Sequence, residues 1–143
     1  MEGLGIAANV IAVIDLSAKA CGVLYRYAKS VKDCSKSVEK LEQELLTVQK
    51  TLNGLRDIAD RLDAACQAEP PPLISQLSTA LKDCETTLGA LIGELEGRRR
   101  NKIREKLHWQ LKWPIKEPEV VDFVSRLARY QQTFQEALQV DIA

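Results

Sequence analysis

His108 is the only histidine in this 143-residue chain. Any Ser-His-Asp or Cys-His relay would have to be built on it. It sits in a basic stretch with no GxSxG turn and no cysteine-nucleophile signature beside it. The four cysteines, Cys21, Cys34, Cys66 and Cys84, form no CxxC pair, which removes the common zinc and redox motifs. A metal site needs three or four ligands, and one histidine with scattered cysteines does not supply them. There is no GxxxxGK(S/T) phosphate loop. Asp and Glu are abundant, but Lys or Arg follows at i+3 or i+4, the pattern of a solvated helix surface. The expectation is a non-enzymatic protein without cofactor or metal.

The totals point the same way. Lys plus Arg equals Asp plus Glu at 20 each, so the formal net charge is zero. A dedicated nucleic-acid binder carries a basic excess, so nucleic acid is not an expected partner. Aromatic residues make up 5% and apolar residues 45%, a balance that favours Leu- and Ala-rich helices over a β-sandwich. The length suits one domain, residues 1–143, with a single sizeable core. The N-terminus does not read as a secretory signal, because Glu2 stands in place of a basic region and Asp15 interrupts the apolar run. An intracellular setting, and hence reduced thiols, is expected. Cys34, Cys66 and Cys84 fall on apolar helix faces and are expected in the core.

The elements that would carry any activity are helical. Cys34, Val38, Leu41, Leu45, Val48, Leu52, Leu55, Ala59, Leu62 and Cys66 alternate spacings of four and three. That is a heptad stripe, and it predicts a helix over about residues 33–67 that must be buried against partners. The run EPPP, Glu69–Pro72, ends it and opens the next helix, since proline is tolerated only in a first turn. Ile74, Leu77, Leu81, Cys84, Leu88, Leu91 and Leu95 repeat the heptad, predicting a third helix over about 71–97. The short connection predicts that these two helices form a long central antiparallel hairpin. Residues 98–118 read as a basic connection broken by Pro114 and Pro118, with eight basic residues against Glu105 and Glu117. A fourth helix is expected over about 119–140, with Val120, Val124, Leu127, Phe134 and Leu138 on one face and Phe123 and Tyr130 beside it. The first helix, about 3–31, puts Ile6, Val10, Val13, Leu16, Ala20, Val23 and Tyr27 on one face. Together these predict an all-α protein, an antiparallel four-helix bundle.

Three features each admit two readings. Gly3 to Ile14 contains no charged side chain. With Gly3, Leu4, Ile6, Val10, Ile11, Val13 and Ile14, it is either the central helix of the bundle or a segment that leaves it for a bilayer. Twelve uncharged residues are fewer than the roughly 20 a spanning helix needs, and Asp15 with Ser17 could kink the helix. Arg98, Arg99, Arg100 and Lys102, with Trp109 and Trp113, suit either a membrane-surface anchor or a cap on the end of the bundle. Gly89, Gly93 and Gly97 recur every fourth residue, and each mid-helix glycine costs about 1 kcal/mol relative to Ala. Close packing of another helix of the bundle, or a contact between copies, would offset that cost.

The opening MEGLGIAANVIAVIDLSAKACG, the following DCSKSVEKLEQEL, and LKWPIKEPEVVDFVSRLARYQQTFQEAL together resemble a known family. The chain looks like the HeLo-like (HELL-type) N-terminal domains of fungal NLR-type receptors, the NACHT-containing STAND proteins. The likeness spans nearly the whole chain, and the WP motif with its following helix is its most specific part. It implies a four-helix bundle that acts as a cell-death effector in programmed cell death, heterokaryon incompatibility and innate immunity. Such a domain is cytoplasmic until a C-terminal receptor or amyloid-signalling region drives it to oligomerise. Its apolar first helix then targets the plasma membrane, with acidic phospholipid and further copies of itself as partners, and forms a pore or lesion. Here that segment would be Gly3 to Ile14, extended to about Gly22. The chain is accordingly expected to be an effector domain of a longer protein. The alternative expectations are a homotypic oligomerisation or adaptor module that never touches lipid, and a small helical bundle with a ligand pocket.

Overall fold

A computed structural model describes residues 5–30, 36–65, 72–105, 115 and 117–139, with side-chain surroundings given for these except 27–30, 36–37, 65 and 97–105. Four α-helices account for them: α1 (Ile6–Ser30), α2 (Lys36–Ala65), α3 (Pro72–Glu105) and α4 (Glu117–Leu138). No strand occurs among the described residues. The all-α four-helix bundle is the architecture the heptads predict.

Local chemistry sets the helix ends. α3 starts on Pro72 itself, and Pro118 occupies the second position of α4. In both places the missing N–H has no intrahelical acceptor to lose. Glu117 and Glu119 lie in the first turn of α4, and Glu39 in that of α2, where a carboxylate favours the positive end of the helix dipole. At the far end of α4, Gln139 N donates to Glu136 O at 3.2 Å, tightening the last turn.

The heptad leucines fill the interior. Leu41, Leu45, Leu52, Leu55 and Leu62 of α2 and Leu77, Leu81, Leu88 and Leu91 of α3 are fully buried, with Phe134 of α4 and Leu24 of α1. Burying each such side chain contributes about 1.5–3 kcal/mol. α1 packs against α2 and α3, and α4 packs against the same two helices. α1 and α2 run antiparallel, because Ile6 meets Asp63 while Cys21 meets Gln49. α2 and α4 run in the same direction, because Thr51 meets Gln131 and Gly54 meets Leu138.

Three expectations are corrected here. α2 and α3 are consecutive but not packed as a pair; they lie across a diagonal of the bundle, each covered by α1 and α4. Six intervening residues can reach about 20 Å, more than the roughly 14 Å diagonal implied by interaxial distances of 8–10 Å. α3 does not stop near Gly97 but continues to Glu105. One glycine costs only about 1 kcal/mol in a helix, and the Arg and Lys that follow are good helix formers. The basic segment is therefore partly helical, with Arg98, Arg99, Arg100 and Lys102 in the last turns of α3. α4 begins at Glu117, two residues earlier than expected.

Candidate functional site

α1 is one continuous helix of 25 residues, with no break at Asp15 or Ser17. Ser17 is fully buried, and its hydroxyl donates to Ile14 O at 2.8 Å. The buried set Ile6, Val10, Val13, Ser17, Ala20 and Leu24 keeps heptad spacing through that serine. The core stripe thus runs through a small polar residue that satisfies itself, while Asp15 stays exposed. Of the residues proposed for membrane targeting, Ile6, Val10 and Val13 are in the core, Ile14 is half-buried and Ile11 is 49% exposed. Gly3 and Leu4 lie outside the described residues. Leu16, expected on the core stripe, is partly buried beside it.

Ile6–Arg26 is 21 residues long and apolar enough to cross a membrane. The run is longer than its twelve uncharged residues suggest, because Ala18, Ala20, Cys21, Val23 and Leu24 extend it past Asp15 and Lys19. A core helix of a soluble bundle can meet the same test, and α1 lends its buried stripe to that core.

The N-terminus of α1 is held by another helix. The Asp63 carboxylate of α2 accepts Ile6 N–H at 2.6 Å through one oxygen and Ala7 N–H at 3.1 Å through the other. Gly5, whose carbonyl accepts Asn9 N–H at 3.1 Å, stands where a capping side chain would normally be. A Cβ there would lie 2.9 Å from both Asp63 oxygens. Sequence reasoning missed this tie. The signal was present as an absence, since no Ser, Thr, Asp or Asn stands at or just before the first helical residue, leaving orphan N–H groups that needed a distant acceptor.

Gly89 and Gly93 are exposed, and a Cβ added to either meets nothing within 4 Å. Among the described residues no other helix packs on them, which corrects the preferred reading of the strip. The buried stripe Leu88, Leu91 and Leu95 turns both glycines outward. Gly97 lies in α3 beyond the residues with described surroundings, and Trp109, Trp113 and His108 lie outside the described residues, as do Cys34 and Cys66. Cys84 is buried, and desolvation pushes its thiol up to about 12, so it stays protonated and unreactive at neutral pH. Cys21 is half-buried, its thiol raised by desolvation and then by the Glu42 charge. Burial likewise raises the Glu44 carboxyl.

An open groove of about 590 Å³ runs between α3 and α4, lined by Ser75, Thr79, Asp83, Arg126, Arg129 and Tyr130 among others. Several of its polar groups already have local partners: Tyr130 OH with Thr87 Oγ1 at 2.9 Å, and Arg126 with Asp122 at 3.1 Å. No group of three or more His, Cys, Asp or Glu among the described residues could hold a metal ion.

A family model for the pigment biosynthesis cluster protein PigL N-terminal region matches residues 1–142. The chain belongs to the PigL N-terminal family. The match takes in all four helices, so the apolar first helix, the basic segment and LKWP are parts of one PigL N-terminal domain. No curated protein and no solved structure matches the chain significantly.

Proposed function

We propose that this PigL N-terminal domain is a non-enzymatic, membrane-acting effector of the HeLo-like kind, serving a receptor-type protein in programmed cell death. The reading is carried by one observation: the helix that begins the bundle is also long and apolar enough to cross a bilayer. In the closed bundle its stripe of Ile6, Val10, Val13, Ala20 and Leu24 is core. Once withdrawn, that stripe joins the already exposed Ile11 to present an apolar cylinder to lipid. The exposed Asp15 is the main obstacle. A carboxylate at mid-bilayer costs about 2.5–3.5 kcal/mol on insertion scales, and facing a water-filled lumen lined by several copies relieves it.

The switch is a population shift. Moving an equilibrium from 1:99 to 99:1 takes about 5.5 kcal/mol of differential binding. Clustering by a C-terminal receptor or amyloid-signalling region supplies this as avidity, without any new contact within a single copy. The domain is cytoplasmic when closed and acts at acidic phospholipid of the plasma membrane when clustered.

Ile11 gives the direct test. It is exposed in the bundle, so Ile11→Glu leaves the core intact while placing a charge on the lipid-facing surface. The clustered Ile11→Glu chain is expected to keep its helical circular dichroism and melting point and to lose binding to anionic vesicles. Unchanged vesicle binding contradicts the proposal.

A second reading, a homotypic adaptor module, is favoured by the exposed Gly89 and Gly93. Their open surface lets the backbone of another copy approach closely. It calls for self-association without lipid.

A further inference from the structure

We infer that Asp63 and Gly5 form an intramolecular latch that keeps α1 in the bundle and sets how readily it is released. This rests on reading α1 as the membrane-acting segment.

The latch is built at the first residue of the membrane-length run, Ile6. Two N–H groups at a helix start have no intrahelical acceptor, and both are taken by one carboxylate 57 and 56 residues away in sequence. A carboxylate at a helix N-terminus gains from charge-assisted hydrogen bonds and from the helix dipole together. Gly5 leaves room for it, because a Cβ at that position would lie 2.9 Å from both oxygens and the carboxylate would have to shift. The contact ties the N-terminal end of α1 to the C-terminal part of α2, beyond what the apolar stripe requires. The stripe itself is non-directional and would tolerate lipid as a substitute. The Asp63 bonds are lost as soon as the first turn of α1 moves away. Breaking them is therefore the step at which withdrawal from the N-terminal end begins.

The experiment is amide hydrogen exchange on the full chain and its Asp63→Ala, Asp63→Asn and Gly5→Ala variants, read residue by residue. In Asp63→Ala, the Ile6 and Ala7 amides are expected to exchange about tenfold faster, equivalent to about 1.4 kcal/mol. The latch further requires Val10 and Val13 to accelerate with them, while the α4 amides stay unchanged and report an intact fold. Gly5→Ala, which displaces the carboxylate without removing it, should give the same pattern. Asp63→Asn, which keeps the shape and one acceptor, should fall between. Acceleration confined to Ile6 and Ala7, or none in either variant, overturns the latch and leaves a local cap or no cap. The same variants, clustered, are added to phosphatidylcholine–phosphatidylserine vesicles. Leakage at a lower dose than wild type supports the latch as a regulator; leakage at the same dose overturns that role. If wild type never causes leakage while Val10 and Val13 still accelerate, the latch stands and the membrane reading fails.

Discussion

Gln131 is a buried polar residue in the core, bonded across two helices. Its Nε2 donates to Thr51 Oγ1 at 2.6 Å, and Thr51 in turn donates to Thr47 O at 3.1 Å. Its Oε1 is buried with no partner among the described residues. Removing one partner of a buried hydrogen bond costs the desolvation of the group left behind, about 1–3 kcal/mol, when that group has no other partner. Thr51→Val is therefore expected to destabilise the chain by about that amount, because it strands the amide of Gln131. Gln131→Leu, which leaves the Thr51 hydroxyl bonded to Thr47, should change stability little. Urea melts of the two variants check the ordering, and a larger loss from Gln131→Leu would refute it. Little of this was legible in the sequence. Val120, Leu127 and Phe134 marked the core face of the last helix, and Gln131 falls on that face in heptad register. Periodicity alone says where a residue points; it does not say that a polar residue there will find a threonine 80 positions away. Leu138, placed on the same face from its spacing, instead lies 37% exposed at the helix end, where it meets Gly54.

Among the helices, α2 was the most readable because every third or fourth residue from Val38 to Leu62 is apolar and buried. α3 shows where reading stops. Its heptad stripe was clear, but its end was not, because Gly97 weakens a helix without terminating one and the basic residues after it propagate the helix. The glycines at 89 and 93 were the other misreading. Small residues in a helix signal close approach only if something approaches, and here the open side of α3 carries them. A direct consequence follows for stability. Replacing either glycine with alanine meets no atom of the described residues and removes backbone entropy from the unfolded chain. Gly89→Ala and Gly93→Ala are each expected to stabilise by about 0.5–1 kcal/mol, raising the melting temperature by roughly 1–4 °C for a chain of this size. A fall in melting temperature would mean that another surface covers the strip in solution.

Taken whole, the bundle places its most lipid-compatible helix at one corner, packed on α2 and α3 and diagonally opposite α4. That arrangement matters for release. α4 keeps its contacts with both α2 and α3 when α1 is withdrawn, so three helices retain a shared core. The layout could not be read from the chain, because heptads specify that stripes meet but not which stripes, and a short connection suits a diagonal as well as a pair. The apolar run was legible from the first residues, and its composition left a core reading and a bilayer reading both open. Its tie to Asp63 was not, because a carboxylate on a helix otherwise rich in charge carries no mark of its partner. The most direct measurement is dye leakage from phosphatidylserine-containing vesicles with the chain as a monomer and as a clustered fusion, each beside a version lacking residues 1–15. The expected result is leakage from the clustered intact chain alone. Leakage from none of the four, with circular dichroism showing the intact chain folded, would make α1 a core helix only and contradict the membrane-acting effector.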